Sequence, residues 1–180
     1  MELYKEAGHK RGYEKFGYDD DYYFFVKTAV EKGLYDLRIV EIYTPEEIKE
    51  AGKYINPNYD LDFEYAGINM VIKRYLIRDR KDTFELPQEM FMTIALLLAS
   101  VEKKEVRLSV AVDIYNQIAG RKISLATPIL INLRRPGGNL SSCFITAVDD
   151  SLDSIFYNIS TIAHISKSGG GVGVNLSRVR

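Results

Sequence analysis

The chain has 180 residues, 46% of them hydrophobic and 27% charged, with a formal net charge of −1 at pH 7. Composition and length suit a globular protein of one domain, or of a domain plus a piece of another, and near-neutrality excludes a general electrostatic hold on nucleic acid or an anionic membrane. A single cysteine excludes an intrachain disulfide, and two histidines with no cysteine pair exclude a zinc site, so no metal centre is expected.

Residues 1–20 are polar and rich in tyrosine and glycine, which predicts a flexible lead-in. They lack the apolar core of a secretory signal, so a cytoplasmic protein is expected. From Asp21 the apolar residues Tyr22, Phe25, Val26, Ala29 and Val30 fall at helical spacing, with Gly33 placed to end the helix. "YTPEEIKEAGKYI" carries a start signal: Thr44 as N-cap, Pro45 in the first turn and Glu47 where a capping box needs it. "INPNYDLDF" reads as a turn, and "YAGINMVIKRYLIRD" as a helix. "LPQEMFMTIALLLASV" predicts a core helix too short to span a bilayer, and "KKEVRLSVAVDIYNQIAG" a helix capped by Gly120. Residues 21–122 therefore read as a helical domain.

Beyond Lys122 short apolar runs alternate with Pro, Gly, Asn and Ser. "TPILINL" reads as a strand or buried extended segment, "RRPGGN" as a turn and "LSSCFITAV" as a strand. "DDSLDSIFYNISTIAHISKS" reads as a helix capped by Asp150, with Leu152, Ile155, Ile159, Ile162 and Ala163 on one face. Glycines 169–171 end it and "VGVNLS" is the next strand, which makes a parallel βαβ unit over residues 123–180. A lone unit of this kind leaves sheet edges unpaired, so the chain reads as cut, with the rest of the sheet elsewhere.

Taken singly, the chemical signals are ambiguous. "KSGGGVG" matches neither a Walker loop nor a dinucleotide fingerprint; it fits an anion nest of backbone N–H groups and, equally, a helix cap followed by a tight turn. Cys143, between Ser142 and Phe144, fits an inert buried residue as well as a reactive thiol. His164 reads as structural, and the tyrosines of the N-terminal third as packing, with no radical role.

The combination is specific. "ATPILINLRRPGGNLSSCF", "DDSLDSI" and "ISKSGGGVGVNLSRVR", with sixteen positions from Thr127 to Cys143, resemble the large catalytic subunit of ribonucleotide reductases, most closely the class I type. "EKGLYD", "DFEYAGINMVIKRYLIRDR" and "RKISLATP" resemble that family's N-terminal helical domain. The resemblance implies an α+β fold: a helical domain followed by the first βαβ unit of a ten-stranded α/β barrel that is incomplete here. It implies a ribonucleoside-diphosphate reductase, a nucleotide-binding, allosteric enzyme of deoxyribonucleotide biosynthesis for DNA replication.

By that resemblance Cys143 is redox-active, with its disulfide partner outside this chain. Thr127, Ser142, Gly170 and Gly171 contact substrate, chiefly its phosphates; Asp150, Ser151, Leu152 and Arg180 hold a nucleotide effector. No cofactor is bound by this chain. The radical would come from a dimetal small subunit (alternative: adenosylcobalamin), reducing equivalents from thioredoxin or glutaredoxin, and a homodimer would form through the effector helix, with no nucleic acid or membrane as partner. No ATP-cone is recognisable, "LRRPGG" is more basic than the family's usual turn, and the second redox cysteine and radical-carrying loop are not in these residues. The expectation is thus a split or truncated subunit, inactive without downstream polypeptide. The alternative is a non-catalytic nucleotide-binding or assembly module that keeps the effector site.

Overall fold

The computed structural model describes residues 17–18 and 21–180. The expected lead-in over 1–20 lies outside the described residues except for Gly17 and Tyr18. Tyr18 is docked, its hydroxyl 2.5 Å from an Asp60 carboxylate oxygen and accepting the Gln88 N–H at 3.1 Å.

Local signals set the first helices. Helix α1 (Tyr22–Glu31) starts where the Asp21 side chain accepts the Phe24 N–H, and ends where Gly33 takes a left-handed backbone, φ 68°. After α2 (Arg38–Ile42), α3 (Pro45–Gly52) begins with the expected capping box: Thr44 N–H donates to Glu47 at 2.8 Å, and Glu47 N–H to Thr44 Oγ1 at 3.3 Å. The predicted turn after it contains a 3₁₀ helix, Pro57–Asp60.

Two segments depart from the sequence reading. "YAGINMVIKRYLIRD" is α4 (Tyr65–Met70) followed by a π-helical turn, Val71–Tyr75, and then by strand β1 (Arg78–Asp79), which pairs antiparallel with β2 (Asp82–Thr83). The helix stops because the next backbone groups have partners outside it: Ile77 N–H donates to the Glu85 carboxylate at 2.6 Å, and Phe84 N–H to Ile77 O at 2.9 Å. "TPILINL", expected to be extended, contains helix α7 (Thr127–Asn132) with Pro128 in its first turn. Pro128 and Leu133 are buried and Ile129 and Leu130 pack on the helical core, so the apolar run is spent on a helix face.

The core is built around α5 (Pro87–Ala99), in which Met90, Met92, Ile94, Ala95 and Leu96 are wholly inaccessible. Such a helix, buried on nearly every side and polar only at Gln88, Glu89 and Thr93, must be surrounded, and α6 (Lys104–Ala119) packs along it most extensively. Gly120 ends α6 as expected, although Arg121 is the residue that takes the left-handed backbone, φ 57°. Phe25 joins α1 to this body, stacked on Phe84 at 5.7 Å and edge-on to Tyr35 at 5.7 Å.

The last third is the βαβ unit: β3 (Cys143–Asp149), α8 (Leu152–Lys167) and β4 (Gly171–Arg178), with β3 and β4 parallel. Among the described residues these two strands form a sheet of their own, so no closed barrel is present, in keeping with an incomplete one.

Candidate active site on the βαβ unit

Strand alternation decides which side chains are available. Val148 is buried and Phe144 and Thr146 are half-buried, all on one face of β3; Cys143, Ile145 and Ala147 lie on the other and are exposed, Ile145 at 89%. Helix α8 covers the first face, where Thr146 Oγ1 lies 2.5 Å from Asn158 Oδ1 and Ile155, Ile159, Val148 and Val174 line one groove. The Cys143 thiol therefore sits on the uncovered face, free and exposed, 3.4 Å from the Ser142 hydroxyl. Of the two readings of Cys143 as an isolated residue, the buried one does not describe it.

Parallel pairing places Gly171 beside Cys143 and Gly173 beside Ile145. A Cβ on Gly171 would meet only Ser142 O, at 3.6 Å, and one on Gly173 only Phe144 O, at 3.9 Å. These positions are bare and leave open space next to the thiol, into which a ligand can approach backbone and sulfur together.

The glycine turn is a helix cap in its hydrogen bonding. Gly169 N–H donates to Ser166 O and Gly170 N–H to Ile165 O, both at 3.0 Å, and Gly169 has φ 82°: a Schellman ending of α8. Gly171 N–H donates to Ser142 O at 2.8 Å. All three N–H groups are spent within the chain, so the turn does not form an anion nest here. Gly170 is buried, and a Cβ there would come within 2.7 Å of both the Phe144 ring and Ile165, so the missing side chain is what allows this close packing.

Asp150, Ser151, Leu152 and Arg180 come together at the other end of the unit. Arg180 Nε donates to the Asp150 carboxylate, and beside it Arg178 pairs with Asp149 at 3.0 Å. With Asp150 committed to Arg180, the cap expected of Asp150 is supplied by Ser151, whose Oγ accepts the Ser154 N–H at 3.2 Å. Leu152 is exposed on the first turn of α8. Cys143 and the Asp150 group thus occupy opposite ends of β3, about 20 Å apart at the usual strand rise. Thr127 is not on this unit; it opens α7, with its Oγ1 3.5 Å from the Tyr75 hydroxyl.

Sequence reading missed Arg134 and Glu85. "RRPGGN" reads only as a basic turn, yet Arg134 is fully buried and pairs with the equally buried Glu85, which also accepts the Tyr35 hydroxyl at 2.6 Å. The one signal available was a carboxylate set in the apolar run "TFELP". Among the described residues no cluster of three His, Cys, Asp or Glu side chains could hold a metal ion, and no helix is long and apolar enough to cross a membrane.

A helical body leading into a parallel βαβ unit, with an exposed thiol at the start of the first strand and bare glycines beside it, defines a mixed helix-and-strand protein that carries a thiol on an open strand face. Residues 61–138 match the family model for the ribonucleotide reductase all-alpha domain, and residues 141–180 that for the ribonucleotide reductase barrel domain. The chain is 51% identical over 178 residues to a ribonucleoside-diphosphate reductase subunit alpha of Synechocystis, with 99% of this chain and 22% of the relative covered. It is 39% identical to the ribonucleoside-diphosphate reductase subunit alpha of Treponema pallidum and 34% to the ribonucleoside-diphosphate reductase 1 subunit alpha of Escherichia coli, each over 88% of this chain, covering 19% and 21% of those relatives. The chain belongs to the ribonucleotide reductase large-subunit family and spans about a fifth of the length of the curated relatives it matches, in their N-terminal part.

Proposed function

We propose that this chain serves in the catalytic subunit of a class I ribonucleoside-diphosphate reductase, supplying the helical domain, one redox thiol and the first βαβ unit of the barrel. The observation that carries the reading is Cys143: exposed, on the strand face opposite α8, beside the bare Gly171. In the reaction the ribose 2′-hydroxyl leaves as water and the carbon gains hydrogen. Two thiols supply the electron pair and become a disulfide, one sulfur being Cys143 and the other lying outside these residues, since the chain has a single cysteine. External dithiol from thioredoxin or glutaredoxin restores both thiols by exchange.

Ser142, Gly170 and Gly171 shape the ground beside the thiol, and Thr127 offers a hydroxyl to substrate phosphate. Because the glycine N–H groups already have acceptors, their part is to admit the substrate closely. Asp150, Ser151, Leu152 and Arg180 are the proposed effector site, in which Arg180 exchanges its carboxylate partner for nucleotide phosphate. The initiating radical is supplied by a dimetal partner subunit, and α8 presents exposed apolar side chains, including Leu152 and Phe156, that suit a homodimer contact. A cytoplasmic setting fits a thiol that must be kept reduced.

Ribonucleotide reduction measured with this chain, the remaining subunit sequence, a radical-generating subunit and a dithiol tests the reading. Turnover that disappears in Cys143→Ser, with nucleotide binding retained, is the expected result; turnover that survives the substitution overturns it.

A further inference from the structure

We propose that Tyr75 is a positioning residue for Thr127, orienting its hydroxyl so that the hydrogen points to the substrate phosphate. The inference rests on the reductase reading, in which Thr127 contacts that phosphate. Thr127 is the first residue of α7, whose N-cap position is held by Ala126, so capping that helix does not fall to the Thr127 hydroxyl. Its hydroxyl contact is with the Tyr75 hydroxyl, at 3.5 Å. A threonine hydroxyl has one hydrogen to give and lone pairs to receive with; when tyrosine donates to Oγ1, the threonine hydrogen is left for an anion.

Tyr75 is held firmly enough for such a role. It closes the π-helical turn Val71–Tyr75, a geometry that is rare and frequent at functional sites. Its carbonyl accepts the Arg134 Nη2 at 2.8 Å, and Arg134 is itself locked by Glu85 in the core. Tyr75 lines a cleft of about 250 Å³ with Phe63, Phe91, Ser124, Leu125 and Leu130, the last three flanking Thr127 in the chain on both sides. The other neighbour of its hydroxyl is the Met70 sulfur at 3.6 Å, a weak acceptor. The distance to Thr127 is long for a hydroxyl pair, as is common before a ligand is bound, and it shortens when an anion draws the Thr127 hydrogen outward.

The test is steady-state reduction of a nucleoside diphosphate by the reductase subunit carrying these residues, for the wild type, Tyr75→Phe, Thr127→Val, and the two combined. Tyr75→Phe is expected to raise KM about three- to ten-fold with kcat nearly unchanged, Thr127→Val to raise it at least as much, and the double variant to match Thr127→Val. In a Thr127→Ser background, which keeps the hydroxyl, Tyr75→Phe should raise KM again. An unchanged KM in Tyr75→Phe, or a double variant worse by the full Tyr75→Phe factor, overturns the positioning role while leaving the reductase reading intact. Absence of reduction by the wild type overturns the reductase reading and this inference with it.

Discussion

Arg134 and Glu85, 49 residues apart, form an ion pair from which water is wholly excluded. The guanidinium also donates to the carbonyls of Leu130 and Tyr75, while Glu85 accepts from Tyr35 and Ile77, so both charges are saturated with partners. The pair ties the segment leading to β3 onto the hairpin of the helical body.

Removing one member should strand the other. Arg134→Met is expected to cost about 3–5 kcal/mol by leaving a buried carboxylate with an unpaired charge. Combining it with Glu85→Leu should recover part of that loss, since no bare charge then remains. Urea unfolding of the single and double variants measures both, and a single variant as stable as the parent would refute the account.

Acid sensitivity should include Glu47. Burial alone would raise its carboxyl, but hydrogen bonds from Arg107, at 2.6 and 3.1 Å, and from the Thr44 N–H outweigh it and hold the group below the usual carboxylate range. A depressed folded pKa contributes stability that is complete above the unfolded value, about 4.3, and is lost as pH falls through the folded one. Glu47→Gln should therefore flatten the fall in thermal midpoint below about pH 5, while lowering the midpoint at neutral pH. An unchanged acid slope would count against the coupling.

The glycine turn separates three different constraints. Gly169→Ala should cost about 1 kcal/mol, from forcing a side chain into the left-handed region. Gly170→Ala should cost about 1–3 kcal/mol through overpacking against Phe144 and Ile165. Gly171→Ala meets nothing closer than 3.6 Å and should leave stability nearly unchanged while crowding the thiol. Chemical denaturation of the three variants, with substrate KM for the last, distinguishes them; equal losses at all three positions would contradict it.

Because Cys143 is exposed, the folded chain should react with a disulfide reagent such as Ellman's at a rate within about ten-fold of the unfolded chain. Gly171→Val, which adds bulk beside the thiol, should slow the folded reaction only. A native thiol that labels only after denaturation would show that the open face is covered.

Much of this architecture was legible in short windows. The capping box of Thr44 and Glu47, the predominantly apolar α5 and the helix between two parallel strands follow from local spacing and end signals, because caps and periodicity act over a few neighbouring residues. The motif series from Thr127 to Arg180 likewise marked the family from sequence. What sequence left open was settled by contacts between distant segments. "TPILINL" became a helix because the core offered its apolar face a place, and Ser151 replaced Asp150 as cap because Arg180 arrives from β4. Cys143 is exposed because α8 covers the other face of β3, and an arginine of the basic "LRRPGG" turn is buried because Glu85 pairs with it in the core. Local chemistry fixes how a segment starts and stops; whether a charge is buried or a thiol bare depends on what the rest of the chain brings against it.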